Sequence, residues 1–117
     1  MENQLKIYQE EKPWGNFRQF THETPSTVKI ITVNANEEIS LQSHSSRAEF
    51  WRVVSGDGVF EVDSKHYPVT IGSEQYVPIG VKHRIKAGSN GIAVLEISLG
   101  EFDERDIIRY EDKYGRV

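Results

Sequence analysis

The sequence predicts an all-β domain built as an antiparallel sandwich or barrel. Short runs rich in β-branched and aromatic residues recur along the chain, and turn-forming Gly, Pro, Asn and Asp separate them at nearly regular spacing. The 117 residues are enough for one domain with its own hydrophobic core, and no repeat, low-complexity tract or linker divides them. We therefore expect one compact unit.

Strands are predicted over 28–33, 39–42, 50–55, 59–62, 67–71, 75–77, 82–86 and 92–99. The first run is β-branched throughout, and the later ones are bounded by turn signals. Asn36 falls in the turn after the first strand, where asparagine tolerates a positive φ. Gly56-Asp57-Gly58 is typical of a hairpin turn, and Gly88-Ser89-Asn90-Gly91 is expected to separate the last two strands.

The two ends of the chain are predicted to be short irregular or helical segments. Residues 1–24 mix aromatic and charged side chains around Lys12-Pro13-Trp14-Gly15. Thr24-Pro25-Ser26 then gives a turn signal. Residues 101–117 are highly charged, and 103–110 are expected to form a helical turn or a short helix.

Composition excludes several classes of function. The formal net charge is -4 and the 14 Lys and Arg are scattered, so nothing favours nucleic acid or an anionic membrane as a partner. The absence of cysteine removes disulfides, thiolate ligands and cysteine nucleophiles, and it fits a reducing cytosol. Residues 1–11 lack the apolar stretch of a secretory signal, and no later segment reaches membrane-spanning length. We expect a cytoplasmic protein.

Four polar side chains are spaced as a metal site requires. Gln42, His44 and Glu49 lie in one segment, and His83 lies about forty residues later. Alternate residues of a strand face the same side, so a barrel with these faces turned inward would gather all four near one mouth. The set suits Zn²⁺, and equally Fe²⁺, Mn²⁺, Co²⁺ or Ni²⁺. The alternative is that all four are solvated polar residues.

The residues around these side chains match two known motifs. Gly-x5-Pro-x-Gly-x2-His runs from Gly72 through Pro78 and Gly80 to His83. Gly-x5-His-x-His-x4-Glu-x6-Gly is matched in spacing over 36–56. On these residues the chain resembles the cupin superfamily. That resemblance implies a single cupin domain over 1–117, a jelly-roll barrel or double-stranded β-helix, with its second motif at 72–83.

Three residues depart from the usual cupin motifs. Asn36 replaces a turn glycine, Gln42 replaces the first histidine, and Ala87 stands where an asparagine usually follows the final histidine. The spacing is kept at each position. The better-studied type I mannose-6-phosphate isomerases are similar in using a Gln-x-His pair, so the resemblance implies that Gln42 is a ligand in its own right.

Three longer segments narrow the resemblance to one family: Lys12-Pro13-Trp14-Gly15, residues 45–51 (SSRAEFW) and residues 108–116 (IRYEDKYGR). They resemble the isomerase domain of type II mannose-6-phosphate isomerases, which is often fused behind a mannose-1-phosphate guanylyltransferase. No Gly-rich nucleotide-binding segment precedes the motifs here, so guanylyltransferase activity is not expected. The family usually has histidine in place of Ser46, and often in place of Phe50.

The resemblance implies a metal-dependent isomerase that interconverts mannose 6-phosphate and fructose 6-phosphate. One divalent metal ion, with zinc as the first candidate and manganese, iron, cobalt or nickel as alternatives, would be held by Gln42, His44, Glu49 and His83. The catalytic base is not identified. Lys12 and Arg109 are the candidates for a catalytic role.

Substrate binding is expected of two arginines and two tryptophans. Arg47 and Arg109 offer forked guanidinium groups for phosphate, and Trp14 and Trp51 offer faces that pack on sugar rings. Three of these residues could serve the structure instead of the substrate. Arg47 could hold its loop by pairing with Glu or backbone carbonyls, and both tryptophans could belong to the core. Residues expected to lie at the surface are Arg116, His22 and His66.

Two other functions stay open. A non-catalytic module that binds a metal and a sugar or nucleotide-sugar is suggested by Ser46 and Phe50 at positions where histidine is usual. A cupin enzyme acting on another small sugar or acid, such as an iron-dependent oxidation, is allowed because many chemistries share this fold. The expected partners are a small sugar phosphate and a second copy of the chain, since cupins commonly form homodimers by sheet contact.

Overall fold

The computed structural model describes residues 5–117, and over this range it is built of strands with no helix. The prediction of an all-β fold is confirmed. Residues 1–4, which belong to the predicted domain and to the predicted irregular N-terminal segment, lie outside the described residues. No helix of the described range is long and apolar enough to cross a membrane. The strands are β1 (Tyr8–Lys12), β2 (Gly15–Gln19), β3 (Ser26–Val33), β4 (Leu41–Ser43), β5 (Ala48–Val62), β6 (Lys65–Thr70), β7 (Glu74–Val77), β8 (His83–Leu99) and β9 (Ile108–Glu111).

Two long strands, β5 and β8, organise the molecule because each belongs to two antiparallel layers. In one layer the first half of β5 and the second half of β8 lie between β7 and β3. In the other, their remaining halves lie between β6 and β4, and β9 completes the edge. The apolar core fills the space between the layers, where the rings of Trp51 and Phe60 pack with centroids 4.8 Å apart.

The predicted turns at 56–58 and 88–91 are wrong, because both segments lie inside continuous strands. Gly56 pairs with Ile92 and Gly58 pairs with Ala87, so the four residues 88–91 face Asp57 alone. Such a bulge bends a long strand from one layer into the other. The glycines therefore allow the backbones of β5 and β8 to approach closely. The sequence pattern alone indicates that the chain reverses direction at these glycines.

The turn predicted at Asn36 is confirmed. Asn36 adopts a φ of 62°, and the Glu37 N–H donates to the Asn34 carbonyl oxygen over 3.0 Å. The Asn36 N–H donates to the Gly88 carbonyl oxygen, also over 3.0 Å. An asparagine thus fills the position of the usual motif glycine without distorting the turn.

The N-terminal segment forms a β-hairpin where irregular structure was predicted. β1 and β2 pair only with each other, and the pairing of Lys12 with Gly15 leaves Trp14 at the tip with 73% of its surface exposed. Arg18 joins the hairpin to the barrel, since its NH2 donates to Glu74 Oε1 over 3.0 Å.

Of the helical turn or short helix predicted over 103–110, the structure has a single turn at 103–106 and no helix. A turn is closed by the Asp106 N–H donating to the Asp103 carbonyl oxygen, and β9 begins at Ile108. The edge of β4 offers unpaired backbone groups, and β9 satisfies them by pairing with residues 41–43. The tail is thereby held against the strand that carries Gln42.

Candidate metal centre

Three of the predicted ligands come together in the interior of the barrel. The ligating atoms of His44, Glu49 and His83 all lie within 4.8 Å of one another, and all three residues are buried. Pairing explains the convergence: Gln42 on β4 lies opposite His83 at the start of β8, which brings the end of β4 beside that strand. Glu49 lies near the start of β5, which pairs with β8, and its side chain faces the interior.

Each imidazole is oriented by a hydrogen bond at Nδ1. We assign the His44 Nδ1–H as donor to the carbonyl oxygen of Asp106 at 2.7 Å, and the His83 Nδ1–H as donor to the carbonyl oxygen of Val81 at 2.9 Å. Both Nε2 atoms then carry a lone pair and face Glu49, at 3.3 Å from Oε2 for His44 and 3.5 Å from Oε1 for His83. A backbone contact of this kind commonly fixes the tautomer of a metal-binding histidine.

Burial keeps both imidazoles neutral. Loss of hydration lowers the pKa of His83 to about 4, and it also lowers the pKa of His44, to which the positive charge of Arg47 contributes. The contacts of the two rings with Glu49 are therefore not ion pairs at neutral pH. Neutral imidazoles can bind a metal without first releasing a proton.

The surroundings of Glu49 accommodate positive charge. Arg47 donates from Nε to Glu49 Oε2 and from NH2 to His44 Nε2, both over 3.2 Å, and Trp51 Nε1–H donates to Glu49 Oε1 over 3.2 Å. The guanidinium of Arg47 thus contacts the Glu49 carboxylate and the Nε2 lone pair of His44, the same atoms that a metal ion would bind. Two imidazole nitrogens with a carboxylate are a donor set that zinc and other first-row divalent ions accept, so these residues fit a metal.

Gln42 lies beside this cluster on β4. Its Nε2 donates to Ser40 Oγ over 2.9 Å and more weakly to the Ser40 carbonyl oxygen over 3.3 Å. The amide nitrogen is thereby engaged, and the amide oxygen is the atom with which Gln42 would complete a ligand set.

A cavity of about 210 Å³ opens beside the ligands. Gln42, Glu49 and His83 form part of its wall. The other charged residues of the wall are Lys29, Arg47, Glu96, Glu104, Arg109 and Arg116. The uncharged ones are Ile31, Ile39, Ser40, Trp51 and Ile107.

The structure brings some of the predicted substrate-binding residues to this cavity and not others. Arg47, Arg109 and Trp51 line it, whereas Lys12 and Trp14 lie on the β1–β2 hairpin and do not. Trp51 is fully buried and serves the core as well as the cavity wall.

Three residues were expected at the surface. His22 and His66 are exposed, as predicted. Arg116 is also exposed, with about half of its side chain accessible, and it lines the cavity and pairs with Asp112 as well.

The two positions where the family usually has histidine lie outside the cavity. Phe50 faces away from the ligands and packs on Phe20, with ring centroids 5.2 Å apart. Ser46 is in an exposed loop, where its N–H donates to Asp106 Oδ2 over 2.9 Å. The absence of histidine at positions 46 and 50 therefore takes no imidazole away from the cavity wall.

Glu96 on β8 is a cavity residue that the sequence reasoning missed. Its carboxylate accepts a bond from Ser98 Oγ over 3.3 Å and lies 3.9 Å from Lys29 Nζ. Burial, and secondly the charge of Glu49, raise the pKa of Glu96 to about 7. The available signal was a single charged residue inside the run 92–99, whose other members are apolar except for Ser98.

Asp106 was also missed, although it holds the loop that carries His44. Its carboxylate accepts bonds from Ser45 N–H at 2.8 Å, Ser45 Oγ at 2.7 Å and Ser46 N–H at 2.9 Å. Its carbonyl oxygen accepts the His44 Nδ1–H described above. Nothing local in the sequence links residue 106 to residue 44, because the contact depends on β9 docking on β4.

Asp106→Ala keeps the carbonyl oxygen that accepts the His44 Nδ1–H but removes the carboxylate that holds the loop carrying His44. We therefore expect zinc binding to weaken about 10-fold, the lower end of the effect of losing a group that orients a ligand. Competition with a chromophoric chelator measures the affinity. Asp103→Ala is the matched control, because the Asp103 carboxylate bonds only Arg105 and its backbone carbonyl, which holds Arg47, is retained. Equal affinities of the two variants would contradict a role for the Asp106 carboxylate in holding the loop that carries His44.

Comparison with known proteins places the chain among the relatives of one family. The family described as mannose-6-phosphate isomerase C-terminal matches residues 1–112. The alginate biosynthesis protein AlgA of Pseudomonas putida is 36% identical over 118 residues, which is 99% of this chain and 24% of AlgA. A mannose-1-phosphate guanylyltransferase of Salmonella montevideo is 36% identical over 107 residues, 90% of this chain and 23% of that protein. The chain therefore spans about a quarter of the length of these relatives.

Solved structures extend the comparison to the fold. The capsular polysaccharide assembling protein CapF of Staphylococcus aureus superposes with a TM-score of 0.68 at 19% identity, over 91% of this chain and 33% of that chain. Similarity at this identity concerns the fold alone, and it confirms the predicted cupin barrel.

Proposed function

The chain belongs to the mannose-6-phosphate isomerase C-terminal family, and on that premise we propose that it is a metal-dependent isomerase interconverting mannose 6-phosphate and fructose 6-phosphate. The observation that carries this proposal is the buried cluster of His44, Glu49 and His83 beside a cavity that also presents arginines. A cytoplasmic location, expected from the cysteine-free sequence, is part of the proposal.

The metal would be held by Glu49 and the Nε2 atoms of His44 and His83, with the amide oxygen of Gln42 as a fourth donor. Zinc is the first candidate, and manganese, iron, cobalt and nickel suit the same donors. When bound, the ion supplies stabilisation of the negative charge that develops on the substrate oxygens. Arg47 contacts two of these residues, Glu49 and His44, and lines the cavity beside them.

The reaction moves a proton between C1 and C2 of the sugar, so a group beside these carbons must take and return it. Arg109 lines the cavity, but a guanidinium stays protonated and is better suited to bind an anion. Lys12 lies outside the cavity. Glu96 is a carboxyl group of the wall that the ligand set leaves unused, and by position we propose it for the proton transfer.

Wild-type protein loaded with zinc, cobalt or manganese is expected to produce fructose 6-phosphate in a coupled assay. Glu96→Gln should lower kcat about 100-fold or more with metal content unchanged, since removal of a general base commonly costs 10²–10⁴-fold. Glu101→Gln, an exposed carboxylate outside the cavity wall, is the control. A Glu96→Gln variant with wild-type kcat would rule out this role.

Absence of turnover with every metal, in a folded and loaded sample, would contradict the isomerase itself. Retained sugar binding without turnover would then support the non-catalytic module. The substitutions at Ser46 and Phe50, which suggested that alternative, do not favour it in the structure because both residues lie outside the cavity wall. Oxygen consumption with Fe²⁺ would instead indicate another cupin chemistry.

The homodimer stays a proposal. Within the described residues β3 pairs on one side only, with β8, and its outward-facing Val28 and Ile30 are 58% and 61% exposed. This neutral, β-branched face suits contact with a second sheet. A mass in solution equal to one chain, measured by light scattering, would contradict it.

A further inference from the structure

Arg109 is the one cation of the cavity wall that has no side-chain partner within residues 5–117. Lys29, Arg47 and Arg116 each pair with a carboxylate, but among the described residues the Arg109 side chain makes no hydrogen bond or ion pair. Its Nε is buried and unsatisfied. A buried donor without an acceptor is costly and rare, so a ligand that supplies the acceptor is a direct physical explanation.

The position of Arg109 relates it to the metal ligands. Gln42 on β4 lies opposite His83 on one side and opposite Arg109 on the other. Arg109 and His83 are therefore two strand spacings apart, roughly 10 Å between backbones. A molecule that reached from the ligands to Arg109 would span the cavity, as a phosphorylated six-carbon sugar is long enough to do.

Arg116 supplies a second guanidinium to the same wall. Its Nε donates to Asp112 Oδ2 over 2.7 Å and its NH2 donates to Oδ1 over 3.1 Å, while its backbone N–H donates to Oδ2 over 2.6 Å. The Asp112 side chain has no exposed surface. A paired contact of this kind fixes the plane of the guanidinium before any ligand arrives, and NH1 keeps its donors.

We propose that Arg109 and Arg116 form a subsite for a phosphate group, and that Asp112 positions Arg116 within it. Arg47 is less suited, because it is engaged with Glu49, His44 and the carbonyl oxygen of Asp103. Glu104, the carboxylate of the same tail in the wall, is exposed and solvated. The proposal deepens the proposed function by naming where the 6-phosphate binds, and it rests on that function for the identity of the sugar.

Titration of the metal-free full chain with inorganic phosphate, followed by amide chemical shifts at constant ionic strength, tests the subsite without catalysis. Arg109→Gln and Arg116→Gln are each expected to raise the dissociation constant at least tenfold. Arg105→Gln is the control, since this arginine of the same tail pairs with Asp103 outside the cavity. Equal losses in all three variants would indicate a general charge effect and overturn the proposal.

Asp112→Asn separates positioning from net charge. Removing a negative charge beside an anion site would strengthen phosphate binding if charge alone mattered. If Asp112 positions Arg116, the variant binds phosphate several-fold more weakly despite its added positive charge, and Asp112→Asn combined with Arg116→Gln is no weaker than Arg116→Gln alone. Tighter binding by Asp112→Asn would overturn the positioning role.

Comparison of ligands shows which source of phosphate the subsite serves. Mannose 6-phosphate is expected to bind more tightly than inorganic phosphate, and mannose without phosphate is expected to bind equally to wild type and Arg109→Gln. If the chain binds mannose 6-phosphate through both arginines without turnover, the subsite stands and the isomerase fails. If the chain turns over with unchanged KM in both arginine variants, the isomerase stands and the subsite is wrong.

Discussion

His83→Ala is expected to abolish stoichiometric metal binding, with a loss of affinity above about 100-fold, since even groups that merely orient ligands contribute 10–100-fold. His83 is 2% exposed and its Nε2 lies 3.5 Å from Glu49 Oε1, and the neighbouring imidazole of His44 would itself be a ligand, so it does not replace His83. Elemental analysis of protein purified without a chelator or a metal-affinity tag gives the stoichiometry. Because burial lowers the pKa of His83 to about 4, occupancy in the wild type should not fall through protonation of this ring between pH 8 and pH 6.

His66→Ala is the matched control, because His66 is exposed on β6 and contacts none of the ligands. Glu49→Gln provides a second variant that keeps the shape of the side chain while removing the anion, in case alanine at position 83 leaves the core poorly packed. Both His83→Ala and Glu49→Gln should lose the metal while retaining the β-sheet circular dichroism spectrum. A full complement of metal in a folded His83→Ala protein would show that the ion binds elsewhere.

Gly56→Ala and Gly58→Ala are expected to destabilise the protein by more than about 4 kcal/mol each, in the range reserved for severe steric disruption. A Cβ at Gly56 would lie 2.0 Å from the Gly91 carbonyl oxygen, and one at Gly58 would lie 2.0 Å from the Lys86 carbonyl oxygen. Both contacts are with backbone atoms of β8, which a rotamer change cannot relieve. Equilibrium unfolding in urea measures the difference.

Gly80→Ala is the control for backbone conformation alone. Gly80 has a φ of +79°, and a Cβ there would meet nothing within 4 Å, so we expect a cost of about 1–2 kcal/mol for the left-handed conformation. Gly58 has no such positive φ, so its substitution isolates the close approach. If Gly58→Ala cost no more than Gly80→Ala, the two strands would not approach as closely as the structure shows.

The convergence of His44, Glu49 and His83 was predictable because its signal is carried by short spacings. His44 and Glu49 fall within one motif, and strand alternation turns the inward face toward His83. Glu96 and Asp106 escaped prediction for a different reason. Each reaches the site through pairing of strands distant in sequence, which one sequence does not reveal.

The two wrong turn predictions, at 56–58 and 88–91, have one shared cause. Glycine pairs at 56–58 and clustered small residues at 88–91 satisfy the local rules for a turn. Their actual role, to let two long strands cross closely where they pass between layers, depends on a partner strand that local rules do not include. The hairpin β1–β2 shows the converse, since strand pairing formed where charged residues had suggested irregular structure.

The sharing of β5 and β8 between both layers also governs how the molecule must fold. Their ladder runs from the pair of Val62 with His83 to the pair of Ala48 with Leu99, so the residues paired at its far end are about 50 apart in sequence. Topologies dominated by such distant contacts fold on the millisecond-to-second scale, because loop-closure entropy is lost before the contacts compensate for it. Neither layer is a separable unit, and the candidate metal ligands Glu49 and His83, which lie on β5 and β8, meet only after the ladder has closed. The affinity for metal and the cooperativity of folding are therefore thermodynamically linked: an ion that binds only the native barrel raises the midpoint of unfolding for every strand at once.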